Sequence, residues 1–186
     1  MDKSCRIILV AFTGAAVLMA AACRNGHATA GAVAEAWVEG HYTYEHAFDY
    51  SIEGYHLDVS ETGTMDFAAD GSAVDSARQV YRVTTEGGEE IVYAFDYVSP
   101  SRWQLEGDTL HFAGVKEGFR MEVVECSCGE TEAQELARKI IGIVGNSIDY
   151  EYRFSMDSLT AEKMQWSFVY KDGHSDTWVF RRDTDK

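Results

Sequence analysis

Along the last forty residues, apolar and polar side chains alternate with a period of two. Ile148, Tyr150, Tyr152, Phe154 and Met156 fall on one side, opposite Asp149, Glu151, Arg153 and Ser155. Met164, Trp166, Phe168 and Tyr170 then oppose Lys163, Gln165 and Ser167, and Trp178 and Phe180 oppose Ser175, Thr177 and Arg181. Successive strand side chains point to opposite faces, so each run predicts a strand with one dry and one wet face. Asp172-Gly173 between the last two runs is a two-residue hairpin signal.

Upstream, the pattern predicts further short strands. Trp37 to Glu45 reads as the first, with Gly40 marking a bend or close packing, and Ser51 to Val59 is ambiguous. Thr64 to Phe67 turns at Asp70-Gly71 into Ala77 to Val83, and Gly87-Gly88 turns into Glu90 to Tyr97. Pro100 falls between strands, where its missing N–H does no harm. Trp103 to Glu106, the turn Gly107-Asp108 and Thr109 to Val115 make another hairpin, and Phe119 to Cys126 follows. One helix is expected at 131–142. Thr131 and Gln134 form a capping-box pattern, Leu136, Ala137, Ile140 and Ile141 recur at helical spacing, and Gly142 can end it. Arg138 and Lys139 would then sit in its last turn and suit the helix dipole. Eight to ten short strands joined by short turns predict an all-β fold, an antiparallel up-and-down barrel whose closure removes exposed edges.

The N-terminus follows another rule. Lys3 and Arg6 precede the apolar, small-residue run Ile7 to Ala22, which reads as an export signal over residues 1–22. Two cleavage readings stand. Leu18 to Cys23 resembles a bacterial lipobox, which would make Cys23 the acylated mature N-terminus, lipid-anchored in the cell envelope at the outer membrane; residues 23–35 would then be a tether. Alternatively, cleavage after Ala28-Thr29-Ala30 would release a soluble periplasmic or secreted protein. The remaining residues, 36–183, are one domain in size.

Charge narrows the choice of partners. The chain carries a net charge of −15, so its field opposes binding to nucleic acid or to an anionic leaflet. Any contact with a membrane is therefore expected through the N-terminal lipid alone. A protein partner is not specified.

Candidate chemistry is sparse. Cys126-Ser127-Cys128 is too short a ligand set for a structural zinc, but it could close a tight disulfide or pair with a partner. None of His27, His41, His46, His56, His111 and His174 makes the helical pair of a zinc protease, so they read as surface histidines, with no metal and no cofactor expected. Glu45, Asp49, Glu53 and Asp58 read as solvated loop charge. No serine stands in a nucleophile elbow and no phosphate loop occurs, so an enzyme is not expected.

The aromatic faces remain. If they point inward, Tyr44, Tyr93, Phe95, Phe112, Tyr150, Tyr152, Trp166 and Phe168 form an apolar wall with a few hydroxyls, suited to a small apolar or amphipathic ligand. The same rings could instead fill a solid barrel. A solid barrel would shift the expectation to an interaction or inhibitor module of the envelope, with rim loops at 49–55 and 99–102 and Tyr50, Tyr55 or Trp103 as anchors.

Trp37-Val38-Glu39-Gly40-His41-Tyr42 resembles the tryptophan- and glycine-bearing first strand of lipocalin-like barrels. Met65-Asp66-Phe67 with Asp70-Gly71, then Trp103-Gln104-Leu105-Glu106-Gly107-Asp108-Thr109-Leu110, then Trp178-Val179-Phe180-Arg181-Arg182 follow in the order seen in calycin-like lipoproteins of the bacterial envelope. The resemblance spans most of 36–182. It implies a lipocalin-like barrel and an internal small lipophilic ligand. The secreted ligand-carrier branch of that family pairs a helix with a disulfide near the barrel end, and here only the helix is evident.

Overall fold

The computed structural model describes residues 37–52, 55–85, 87–127, 130–148, 150–170, 173 and 175–184. The signal segment, Cys23, the tether, His27, Glu53, Cys128, Asp149, Asp172 and His174 lie outside the described residues, as does the side chain of Thr131. Among the described residues, nine antiparallel strands and one long helix follow in order. The strands are β1 (Gly40–Ile52), β2 (Tyr55–Phe67), β3 (Ser72–Thr84), β4 (Glu90–Glu106), β5 (Thr109–Gly114), β6 (Arg120–Cys126), β7 (Glu151–Leu159), β8 (Lys163–Val169) and β9 (Ser175–Arg182). The helix α1 (Glu130–Ser147) lies between β6 and β7. No helix among the described residues is long and apolar enough to cross a membrane.

Eight of the strands close a barrel in the circular order β1-β2-β3-β4-β5-β7-β8-β9. The closing seam is short: β9 meets β1 only at Tyr42↔Arg182, Thr43↔Arg181 and Tyr44↔Phe180. Strands β1 to β4 are too long for the barrel. Their far halves continue past it as an open sheet, extended by β6, and α1 covers this sheet.

β4 makes the split possible. Its first half pairs with β6 from Tyr93 to Val98, and its second half pairs with β5 from Ser101 to Glu106. Pro100 stands at the change of partner and is paired on its other edge with Val74 of β3. A proline between two strands was expected. It lies instead inside one continuous strand, where its carbonyl accepts from the Val115 N–H at 2.8 Å on the switching edge and only the N–H it lacks goes unused. The expected short strands on either side of it are therefore one.

The helix also outruns its expected stop. Gly142 and Gly145 lie within it, and Arg138 and Lys139 are mid-helix, because Ile141 and Val144 still pack on the sheet. An interior glycine costs about 1 kcal/mol relative to alanine, which burial of two aliphatic side chains offsets.

Two cores result. Val38, Tyr42, Phe67, Trp103, Leu105, Leu110 and Met164 fill the closed end of the barrel. There the first and last segments of the fold meet. Arg182 lies over the Tyr42 ring at 4.9 Å and donates to the Tyr42 hydroxyl at 2.6 Å, and both residues donate to the Trp37 carbonyl. The second core joins Leu57, Val59, Tyr81, Val83, Tyr93 and Phe95 to Leu136, Ala137 and Ile140 of α1. Both cores use the same face of β1 to β4.

Candidate functional site

Between the two cores the inward face turns polar. Counting by twos from Phe67 and Met65 down β2 leads past Gly63 to Glu61, then to Val59 and Leu57. The same step on β3 gives Ala73, Asp75, Ala77, Gln79 and Tyr81, and on β4 it gives Tyr97, Ser99 and Ser101. Glu61, Gln79, Ser99 and Ser101 are buried.

Two carboxyls and two phenols form a closed ring at this waist. The Tyr44 hydroxyl lies 2.6 Å from Glu61 Oε1 and 2.8 Å from Asp75 Oδ1, and the Tyr97 hydroxyl contacts the same Glu61 oxygen and Asp75 Oδ2. The two hydroxyls carry one proton each, and cannot serve all four contacts. A protonated carboxyl that donates back to a phenol oxygen serves a third contact. Burial, with the Glu61 carboxylate beside it, pushes the Asp75 carboxyl up to about 8. Burial and then the two carboxyls push the Tyr44 and Tyr97 phenols far above their ordinary value. Glycine makes room for the ring. A Cβ at Gly63 would lie 2.5 Å from Ala77 Cβ, 2.8 Å from the Ser76 carbonyl and 3.0 Å from the Tyr44 hydroxyl.

Above the waist the barrel opens into a cavity of about 410 Å³. Tyr44, Asp75, Ser99 and Ser101 give it a polar floor, while Phe112, Tyr152, Phe154, Trp166, Phe168, Trp178 and Phe180 give it an aromatic wall. Phe154 stacks on Trp166 at 5.0 Å, and Phe180 meets Trp166 edge-on at 4.4 Å. Trp166 Nε1 is buried without a hydrogen-bond partner among the described residues. The end of α1 forms part of the rim: the Tyr152 hydroxyl donates to the Ser147 carbonyl at 3.2 Å. Gly114 lets Ile148 cross it, since a Cβ there would lie 2.3 Å from the Ile148 carbonyl oxygen.

Five of the eight aromatic residues singled out from the sequence line this cavity: Tyr44, Phe112, Tyr152, Trp166 and Phe168. Tyr93 and Phe95 are fully buried, but under α1 in the other core. Tyr150 does not line the cavity. β7 starts only at Glu151, which leaves Tyr150 in the preceding bend and 65% exposed. Cys126 is exposed at the end of β6.

The histidines divide. His41, His56 and His111 face Asp66, Asp58 and Glu151 at the surface. His46 is not a surface residue: it points inward, with its ring 4.3 Å from that of Trp178. Burial lowers its pKa, outweighing Asp176 and Glu61, and holds the imidazole neutral. Glu45, Asp49 and Asp58 are exposed on the opposite face. Of the anchors expected for an interaction module, Trp103 is buried, its indole N–H bound to the Ala68 and Ser72 carbonyls. The 99–102 segment is strand, not loop.

No hydrophobic run marks Glu61, Asp75, Ser99 or Ser101. Their only signal is parity: Glu61, Asp75 and Ser101 each fall two residues from a buried apolar neighbour, and Ser99 continues the same step.

No protein-family model matches the chain, and no curated protein is significantly similar to it.

Proposed function

We propose that this is an exported, lipocalin-like barrel, lipid-anchored through Cys23 in the bacterial envelope, that binds a small amphipathic molecule inside the barrel. The cavity carries this reading. Its volume of about 410 Å³ falls within the range of about 300–1,000 Å³ usual for small-molecule sites, and an apolar wall with a few convergent polar groups is their usual lining. The rings give affinity through apolar contact, and the floor orients the polar end of the guest. The site binds and does not catalyse.

Native mass spectrometry of the protein, gently extracted from its envelope, tests the cavity. A retained adduct of small-molecule mass is expected. Recovery of polypeptide and anchor alone, with no change in tryptophan fluorescence on titration with apolar probes, overturns it. Mass spectrometry of the mature N-terminus tests the anchor: an acylated Cys23 is expected, and a chain starting at Gly31 rules it out.

A further inference from the structure

Two carboxyls at the waist have no counter-charge. Among the described residues, neither Glu61 nor Asp75 forms an ion pair, and no Lys, Arg or His lines the cavity. Tyr44, Glu61 and Tyr97 face Asp75, His46 and Gln79 lie opposite Glu61 on β1 and β3, Asp176 lies near His46, and Tyr152 and Tyr170 stand farther up the wall. His46 is the one potential cation among them, and it is held neutral. Asp75 is the acid that reaches the cavity, while Glu61 stands behind it. The same cavity is lined by the rings of Phe154, Trp166, Trp178 and Phe180, and aromatic rings attract a cation through their quadrupoles. The wall also holds the one buried indole N–H without a partner, so it already departs from a purely apolar lining. An anion here would meet the carboxyl pair with nothing to neutralise it, in a protein whose field already repels anions. A metal ion is a poorer fit, because no group of three His, Cys, Asp or Glu among the described residues could hold one.

Resting on the reading of the cavity as a ligand site, we infer that its guest is a cationic amphiphile: a primary or quaternary amine on an apolar body, its charge on Asp75 and its body against the rings. Binding is coupled to a proton. In the empty site Asp75 holds a proton, consistent with its carboxyl raised to about 8. An ammonium group takes that proton's place, Asp75 ionises, and one proton leaves for solvent. The amine therefore binds more weakly as pH falls below about 8, while a neutral guest of the same shape is indifferent to pH.

The test uses 3-phenylpropylamine, 3-phenylpropanol and 3-phenylpropanoate, titrated calorimetrically into the full chain, with tryptophan fluorescence as a second readout. At pH 8 the amine is expected to bind at least about ten-fold more tightly than the alcohol, with the carboxylate weakest. Between pH 8 and pH 6 the amine should lose up to about ten-fold per unit while the alcohol stays level. At pH 6 to 7, buffers of different ionisation heat should reveal release of about one proton per amine. Asp75→Asn should bring the amine down to the level of the alcohol. Should that variant not fold, the pH series on the unaltered protein decides alone. Equal or tighter binding of the alcohol or the carboxylate overturns the cationic guest and leaves the cavity standing as a ligand site. Silence from all three probes, together with no adduct in native mass spectrometry, overturns both.

Discussion

The two halves of this molecule share four strands and one inward face, yet one half is filled throughout and the other keeps a cavity beside its core. Under α1, the open sheet meets a helix whose Leu136, Ala137 and Ile140 descend into it, and Tyr93 and Phe95 are fully buried there. In the barrel half, rings of the same kind line a cylinder closed on itself by β5 and β7 to β9. A helix can settle onto a sheet until contact is complete, whereas the diameter of a closed ladder is set by strand number and tilt. Where the barrel's rings do not reach its axis, space remains. An aromatic residue is thus core in one half and cavity wall in the other.

Truncation should break the comparison most sharply. Phe95→Ala leaves a void in a filled core and should cost about 3–5 kcal/mol by urea denaturation. Phe154→Ala, beside space already empty, should cost less than half of that but weaken guest binding. Equal costs would mean that the barrel half is as tightly filled as the helical half.

The waist is the next target. Gly63→Val places carbon 2.5 Å from Ala77 Cβ and crowds the Tyr44 hydroxyl, so a loss of about 1–3 kcal/mol is expected.

A pH series sharpens the contrast further. Asp75 is raised to about 8 in the folded protein, and an unfolded aspartate titrates near 4. Between those limits the folded state holds the extra proton. Its contribution is full below about pH 4 and is lost as pH rises to about 8, at no more than about 1.4 kcal/mol per pH unit. Thermal denaturation across that window should show stability declining with pH, and the slope should flatten in Asp75→Asn. His46, lowered by burial, acts with the opposite sign and only below its unfolded value near 6.5. Among the described residues the helical core holds no comparable carboxyl pair, so Phe95→Ala should leave the slope as it was.

Trp166→Phe should give the smallest effect. It removes some ring volume but also a buried donor that lacks a partner, so stability should move by less than about 1 kcal/mol. A loss as large as that of Phe95→Ala would show that the indole N–H is engaged.

Particular elements show how far the pattern of residues could be read. The three C-terminal strands and the turn at Asp70-Gly71 follow from local alternation and turn chemistry, and strands β7 to β9 lie where that alternation places them. Local signals failed where a distant partner decided. Pro100 reads as a break, but β4 runs through it because the two segments bonded to that edge meet there. Gly142 reads as a stop, but sheet contacts carry α1 on to Ser147. Tyr150 keeps the alternation of β7 yet lies outside the strand.

By itself, the chain determined that it would form strands with one dry aromatic face, and hence a closed antiparallel barrel with one covering helix, because periodicity and turns are local properties. It also determined that Glu61 and Asp75 share that face, since parity is local too. Only the tertiary structure decided that the two acids would meet Tyr44 and Tyr97 in one ring, that Tyr93 would be core while Tyr152 is wall, and that a cavity would remain above Asp75. Each of these depends on register and barrel diameter, which set distances between residues far apart in the chain. No local pattern encodes those distances.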